Sequence, residues 1–160
     1  MTLPHIDSAA KAGLIQEPRE GAPMQPVPHG LRLFIVEDEY LIADQVAKMF
    51  ASRGAEVIGF APTAQKAREI ISRGASFDVA ILDVGLRDGD VFTVADQIQK
   101  SGAIVVFYTG LDASRLPERF RTTTVVPKPE DVNVLYASTL KACHVPLDQC
   151  SKSGVVAAAA

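Results

Sequence analysis

The chain predicts an α/β fold, a parallel sheet with helices on both faces. Three observations carry this. Short apolar runs with β-branched content alternate five times with segments whose apolar residues recur at helical spacing, the order expected of βα units. The run over 103–108 is near-continuously apolar, as a central parallel strand covered on both faces would be. Four of the runs end in polar residues of a definite type, which a parallel arrangement would gather at one sheet edge.

The first strand covers residues 31–36. Helix one follows from about 40 to 52, with Ile42, Val46, Met49 and Phe50 on one face, and Gly54 stops it. A second strand, 55–60, leads to Pro62 and Thr63, and the Thr63 hydroxyl suits the N-cap of helix two. Ala67, Ile70 and Ile71 give that helix its buried side, and Gly74 ends it. Strand three is 77–82. Helix three, about 90–100, turns Val91, Val94, Ala95 and Ile98 inward and stops at Gly102. Strand four is 103–108. Between 110 and 123 the pattern weakens: Leu111, Leu116 and Phe120 suffice for one short helix, which Pro117 limits. So few large apolar residues predict low local stability there. Strand five is short, about 124–126, and the last helix runs from 130 to about 143 along Val132, Leu135, Thr139 and Ala142.

The flanks differ in composition. Residues 1–30 carry Pro4, Pro18, Pro23, Pro26 and Pro28 with Gly13, Gly21 and Gly30, and read as a flexible N-terminal arm. The domain is expected over 31–145, closed by Pro146, with a small-residue tail over 146–160. Right-handed crossovers place the helices on both faces of the sheet. In such sheets the ligand sits outside the carboxyl ends of the strands.

That edge would carry Glu37, Asp38, Asp83, Thr109 and Lys128. The first three bring up to three negative charges together, which raise one another's pKa unless a cation intervenes. Oxygen ligands of this type suit Mg²⁺, which keeps several waters and takes one or two carboxylates. Lys128 adds a movable positive charge and Thr109 a hydroxyl that can donate one hydrogen bond. The set suits a transient phosphoryl group, with Asp83 as nucleophile and Mg²⁺, Lys128 and Thr109 meeting the peripheral oxygens. Gly85 can offer its backbone carbonyl to the metal. Each piece alone reads as readily as a turn or a loop. Their joint occurrence, each after the right strand, is what points to chemistry.

On these residues the chain resembles a bacterial two-component response-regulator receiver domain, from about 31 to 143. The matching motifs are Val36-Glu37-Asp38-Glu39, Ile81-Leu82-Asp83, Phe107-Tyr108-Thr109-Gly110 and Pro127-Lys128-Pro129. The resemblance implies a flavodoxin-like five-stranded parallel sheet of order 2-1-3-4-5. It implies phosphorylation of Asp83 by a histidine kinase's phosphohistidine or a phosphotransfer protein, with Mg²⁺, and a cis bond before Pro129. There are departures. Val125 stands where receivers often carry an aromatic switch residue, and Glu130 stands where an aromatic often follows the Lys-Pro pair. The interval from Thr109 to Lys128 is short, so the fourth helix is expected to be reduced. The Phe-x-Thr-Gly stretch resembles a receiver subgroup without that switch, often paired with HWE-type kinases, although Asp112 replaces the last aromatic of its motif.

Composition bounds the rest. At 160 residues, 48% hydrophobic and 22% charged, the chain suits one globular domain with tails. A net charge of −3 without a basic block gives nucleic acid no electrostatic footprint. No run approaches the roughly 20 apolar residues that span a bilayer, and no signal peptide is visible, so the expected place is the cytoplasm without membrane attachment. Cys143 and Cys150 fit no zinc pattern and are expected as reduced thiols. With no output domain expected after Cys143, the reading is a single-domain regulator, a phosphoacceptor rather than an enzyme, signalling through protein–protein contacts. Two alternatives stand beside it. One is a degenerate receiver that only binds. The other is a haloacid-dehalogenase-type phosphohydrolase, which would want an Asp where Gly85 stands.

Overall fold

The computed structural model describes residues 30–143. Apart from Gly30, the arm expected over 1–30 lies outside them, as does the tail expected over 146–160. The strands are β1 Arg32–Val36, β2 Glu56–Ala61, β3 Val79–Leu82, β4 Ile104–Thr109 and β5 Thr124–Pro127. The helices are α1 Tyr40–Ala51, α2 Ala64–Ser72, α3 Val91–Lys100 and α4 Val132–Cys143. All strand pairings are parallel, and the order is β2-β1-β3-β4-β5, the flavodoxin-like doubly wound arrangement. Among the described residues no helix is long and apolar enough to cross a membrane.

Strand alternation divides the core in two. Leu33, Ile35, Val79, Ile81, Val106, Tyr108 and Val126 point to one face, where Ala43, Val46 and Phe50 of α1 and Leu135 and Tyr136 of α4 cover them. Phe34, Val36, Ala80, Leu82, Val105 and Phe107 point to the other, under Ala64 and Ala67 of α2 and Val94, Ala95 and Ile98 of α3. A period of two on the strands meets a period near 3.6 on the helices, so each layer buries its apolar side. Gly54 and Gly102 close α1 and α3 with φ of 94° and 87°, left-handed backbone that a side chain would strain. Cys143 is buried at the end of α4, and Cys150 lies outside the described residues.

The reduction expected between β4 and β5 goes further than one short helix. Two 3₁₀ turns, Ala113–Arg115 and Glu118–Phe120, occupy the segment. Asp112 bonds the Ser114 N–H at 2.7 Å and starts the first turn, and Pro117 separates the two. The expectation of weak anchoring holds for only half of this segment. Leu111 is half-buried, but Leu116 and Phe120 are buried. Phe120 lies 5.6 Å from the Phe92 ring and 5.5 Å from the Phe107 ring, and Arg119 makes two 3.0 Å bonds to Asp96 on α3.

The start of α2 is capped from two places. Thr63 accepts from the Lys66 N–H at 3.0 Å, as expected. Asp88, in the loop after β3, accepts from the Ala64 and Gln65 N–H groups, each at 3.0 Å. Burial would raise the Asp88 pKa, but these backbone donors outweigh it and hold the carboxyl below its ordinary 3.8. Asp88→Ala is therefore expected to destabilise the domain by about 0.5–1 kcal/mol near neutral pH. Because the folded pKa lies below the unfolded one, this contribution is present above about pH 4 and disappears as pH falls through the folded value. Urea unfolding of both proteins at neutral pH and at about pH 3 checks the size and the sign.

Candidate functional site

The sheet brings the four strand ends together. β1 and β3 pair in register at Val36 and Leu82, so the residues that follow, Glu37 and Asp83, emerge side by side. Each is fixed by its own backbone: Asp83 donates its N–H to the Val36 carbonyl at 2.8 Å, and Glu37 donates to Ala61 at 3.0 Å. On the other side Thr109 pairs with Pro127, and the Lys128 N–H reaches the Thr109 carbonyl at 2.8 Å.

Glu37, Asp38 and Asp83 each place a carboxylate oxygen within 4.8 Å of the others. Lys128 Nζ crosses the sheet edge to meet two of them, Glu37 Oε2 at 2.7 Å and Asp83 Oδ2 at 2.9 Å. Glu37 is 3% exposed and Asp83 7%. Burial pushes the Glu37 carboxyl above its usual 4.5, against the pull of Lys128. For Lys128, burial works downward, but the bonds to Glu37 and Asp83 win and hold the ammonium above 10.5. The donor set is oxygen only and carries up to three negative charges, so a hard divalent cation such as Mg²⁺ fits it.

The remaining expected residues lie around this cluster. The Gly85 N–H donates to Asp83 Oδ1 at 2.8 Å. A Cβ at Gly85 would sit 3.4 Å from that oxygen, so the glycine keeps this side of the carboxylate open. Thr109 is 1% exposed, and its hydroxyl accepts from the Leu111 N–H at 3.2 Å. The Lys128-Pro129 peptide is cis. Val125 faces the Phe107 side of the sheet, half-buried, with no ring in its place.

Two residues to which the sequence assigned no role also touch the site, and a third braces the loop beside it. Tyr108 lays its ring 5.5 Å from Lys128 Nζ and donates its hydroxyl to the Glu130 carbonyl at 2.9 Å. Arg87 Nε donates to Asp38 Oδ2 at 3.0 Å. Asp88 ties the loop that carries Arg87 to α2. Tyr108 was visible as an apolar strand residue next to Thr109. The contacts of Arg87 and Asp88 span 49 and 24 residues and leave no local signal.

Comparisons with known proteins agree on one family. The model of the response regulator receiver domain matches residues 33–139. Sensor protein TorS of Escherichia coli (strain K12) is 30% identical over 112 residues, 66% of this chain and 12% of that protein, so the chain spans only a small part of it. The solution structure of the PhyR response regulator REC domain of Erythrobacter litoralis superposes with a TM-score of 0.64 at 25% identity, covering 79% of this chain and 98% of that one. The N-terminal domain of a response regulator/sensory box/GGDEF protein from Carboxydothermus hydrogenoformans gives 0.60 at 30% identity, covering 69% and 92%.

Proposed function

The chain belongs to the response regulator receiver domain family, a family of two-component signalling domains, and from that premise we propose that Asp83 is its phosphoacceptor. The donor is the phosphohistidine of a histidine kinase or of a phosphotransfer protein, and an HWE-type kinase is the class to which the Phe107-x-Thr109-Gly110 stretch points. The signal leaves through protein–protein contacts. The observation that carries this reading is the Asp83 carboxylate itself, buried, with Glu37 and Asp38 oxygens within 4.8 Å and Lys128 on it at 2.9 Å.

In the transfer an Asp83 oxygen attacks phosphorus, the P–O bond forms as the P–N bond breaks, and the imidazole nitrogen leaves with the bonding pair. Glu37, Asp38 and Asp83, with the Gly85 carbonyl, would hold Mg²⁺, whose charge offsets that of the carboxylates and the phosphoryl oxygens. Lys128 exchanges its Asp83 oxygen for a phosphoryl oxygen, and the Thr109 hydroxyl turns to donate to another. Exposed Tyr40 and Leu41, at the start of α1 just past Glu39, give a partner an apolar foothold beside the reacting edge. Incubation with acetyl phosphate tests the reading. Intact mass should rise by about 80 Da with Mg²⁺ present and stay unchanged with chelator. No gain under either condition would leave a phosphorylation-independent binding module. Sustained phosphate release without an accumulated adduct would favour a phosphohydrolase.

Val125 cannot swing as an aromatic switch would, so the readout falls to the segment after Thr109. Its first half, 110–115, has no buried residue beyond Thr109, whereas Leu116 and Phe120 pin the second half. With beryllofluoride as phosphoryl mimic, amide protection should rise over 110–115 and change little over 116–120 and in β3. Hydrogen exchange that leaves 110–115 unchanged would move the readout elsewhere, with the face of α1 and α4 as the next candidate.

A further inference from the structure

Arg87 holds one of the three carboxylates that could hold a metal. Its Nε lies 3.0 Å from Asp38 Oδ2, and Asp38 is one of the three residues whose oxygens converge within 4.8 Å. The position of Arg87 is built rather than incidental. Leu86 before it is 5% exposed and anchored in the core. Asp88 after it is bonded to two N–H groups at the start of α2. The turn between them is closed by the Gly89 N–H on the Leu86 carbonyl at 3.1 Å. With both neighbours held, the backbone of Arg87 lies within side-chain reach of Asp38. Lys128 meets Glu37 and Asp83 but not Asp38, so the two cations divide the acidic cluster between them.

We propose that Arg87 is a latch on the metal site, a guanidinium that competes with the divalent cation for Asp38 and sets the affinity of the site. The inference rests on the reading of Glu37, Asp38 and Asp83 as metal ligands and adds to it the group that holds the site closed without metal. A cation on Asp38 must either displace the guanidinium from Oδ2 or share the carboxylate with its positive charge, so the intrinsic affinity is reduced by up to the strength of that pair. The Arg87 side chain is 86% exposed, which keeps the pair weak and the effect modest. Removal of the guanidinium should tighten metal binding by about two- to fivefold, and the difference should shrink as salt screens the pair.

The test is calorimetric titration of the full chain with MgCl₂, without any phosphodonor. Arg87→Ala should bind Mg²⁺ more tightly than wild type, and Arg87→Lys should fall between them. The same substitution in an Asp38→Asn background separates the contact from a general effect of positive charge, because the gain should vanish there. An unchanged or weaker affinity in Arg87→Ala, beside wild-type binding that Asp38→Asn impairs, overturns the latch and leaves the metal site standing. A gain that persists undiminished in the Asp38→Asn background also overturns it, as a field effect without competition. Absence of Mg²⁺ binding in every variant overturns the metal site and the latch together.

Discussion

Lys128→Ala is expected to take up a phosphoryl group from acetyl phosphate at least about tenfold more slowly than wild type, even at saturating Mg²⁺. The ammonium already rests 2.9 Å from the Asp83 oxygen and 2.7 Å from Glu37. As negative charge builds on the transferred group, this cation is in place to meet it. The same substitution bears on stability. Without Lys128 the buried Glu37 and Asp83 carboxylates face each other with no side-chain cation on either among the described residues. The variant should therefore be less stable by about 1–3 kcal/mol without Mg²⁺ and regain part of that with it. The folded pKa of Lys128 lies above 10.5, so its contribution is complete at neutral pH and is lost only as pH rises through the folded value. At the acid end the difference should begin to narrow above the ordinary carboxylate range, because burial raises the Glu37 carboxyl above 4.5. Unfolding curves with and without Mg²⁺, beside phosphorylation time courses, separate the two effects. A variant that phosphorylates at the wild-type rate would contradict the role given to the ammonium.

Much of this was legible because the fold writes its site at strand ends. Each apolar run announces a strand, and the residue after it is placed by the sheet rather than by its own contacts. Asp83 after Leu82 and Glu37 after Val36 become neighbours because β1 and β3 pair at those residues, an adjacency that the family resemblance implied. The face of α3 was equally readable, with Val91, Val94, Ala95 and Ile98 all buried, whereas Met49 on α1, Ile70 and Ile71 on α2 and Ala142 on α4 are only half-buried. Less legible was the stretch after β4. Its two 3₁₀ turns follow from Asp112 bonding the Ser114 N–H and from Pro117, local choices that outweigh a sparse apolar pattern. Phe120, expected with Leu111 and Leu116 to anchor one short helix, instead completes a ring cluster with Phe92 and Phe107, from two other elements. The roles of Arg87 and Asp88 were not legible, because nothing near them in sequence reveals Asp38 or the start of α2.

Asp83→Asn is expected to abolish phosphorylation altogether, the largest effect of any single substitution in the domain. The amide keeps the shape and one acceptor oxygen but has no anionic oxygen to attack phosphorus. Loss of a charge from the acidic cluster should leave the fold intact, since Lys128 keeps its 2.7 Å bond to Glu37. The most direct measurement traps the bond itself. Wild-type protein treated with acetyl phosphate and Mg²⁺ is reduced with borohydride, which converts an aspartyl phosphate into homoserine, and is then mapped by peptide mass. Homoserine is expected at position 83, nowhere else, and none in Asp83→Asn. Homoserine at another carboxylate, or a phosphoryl group that Asp83→Asn still accepts, would contradict that assignment.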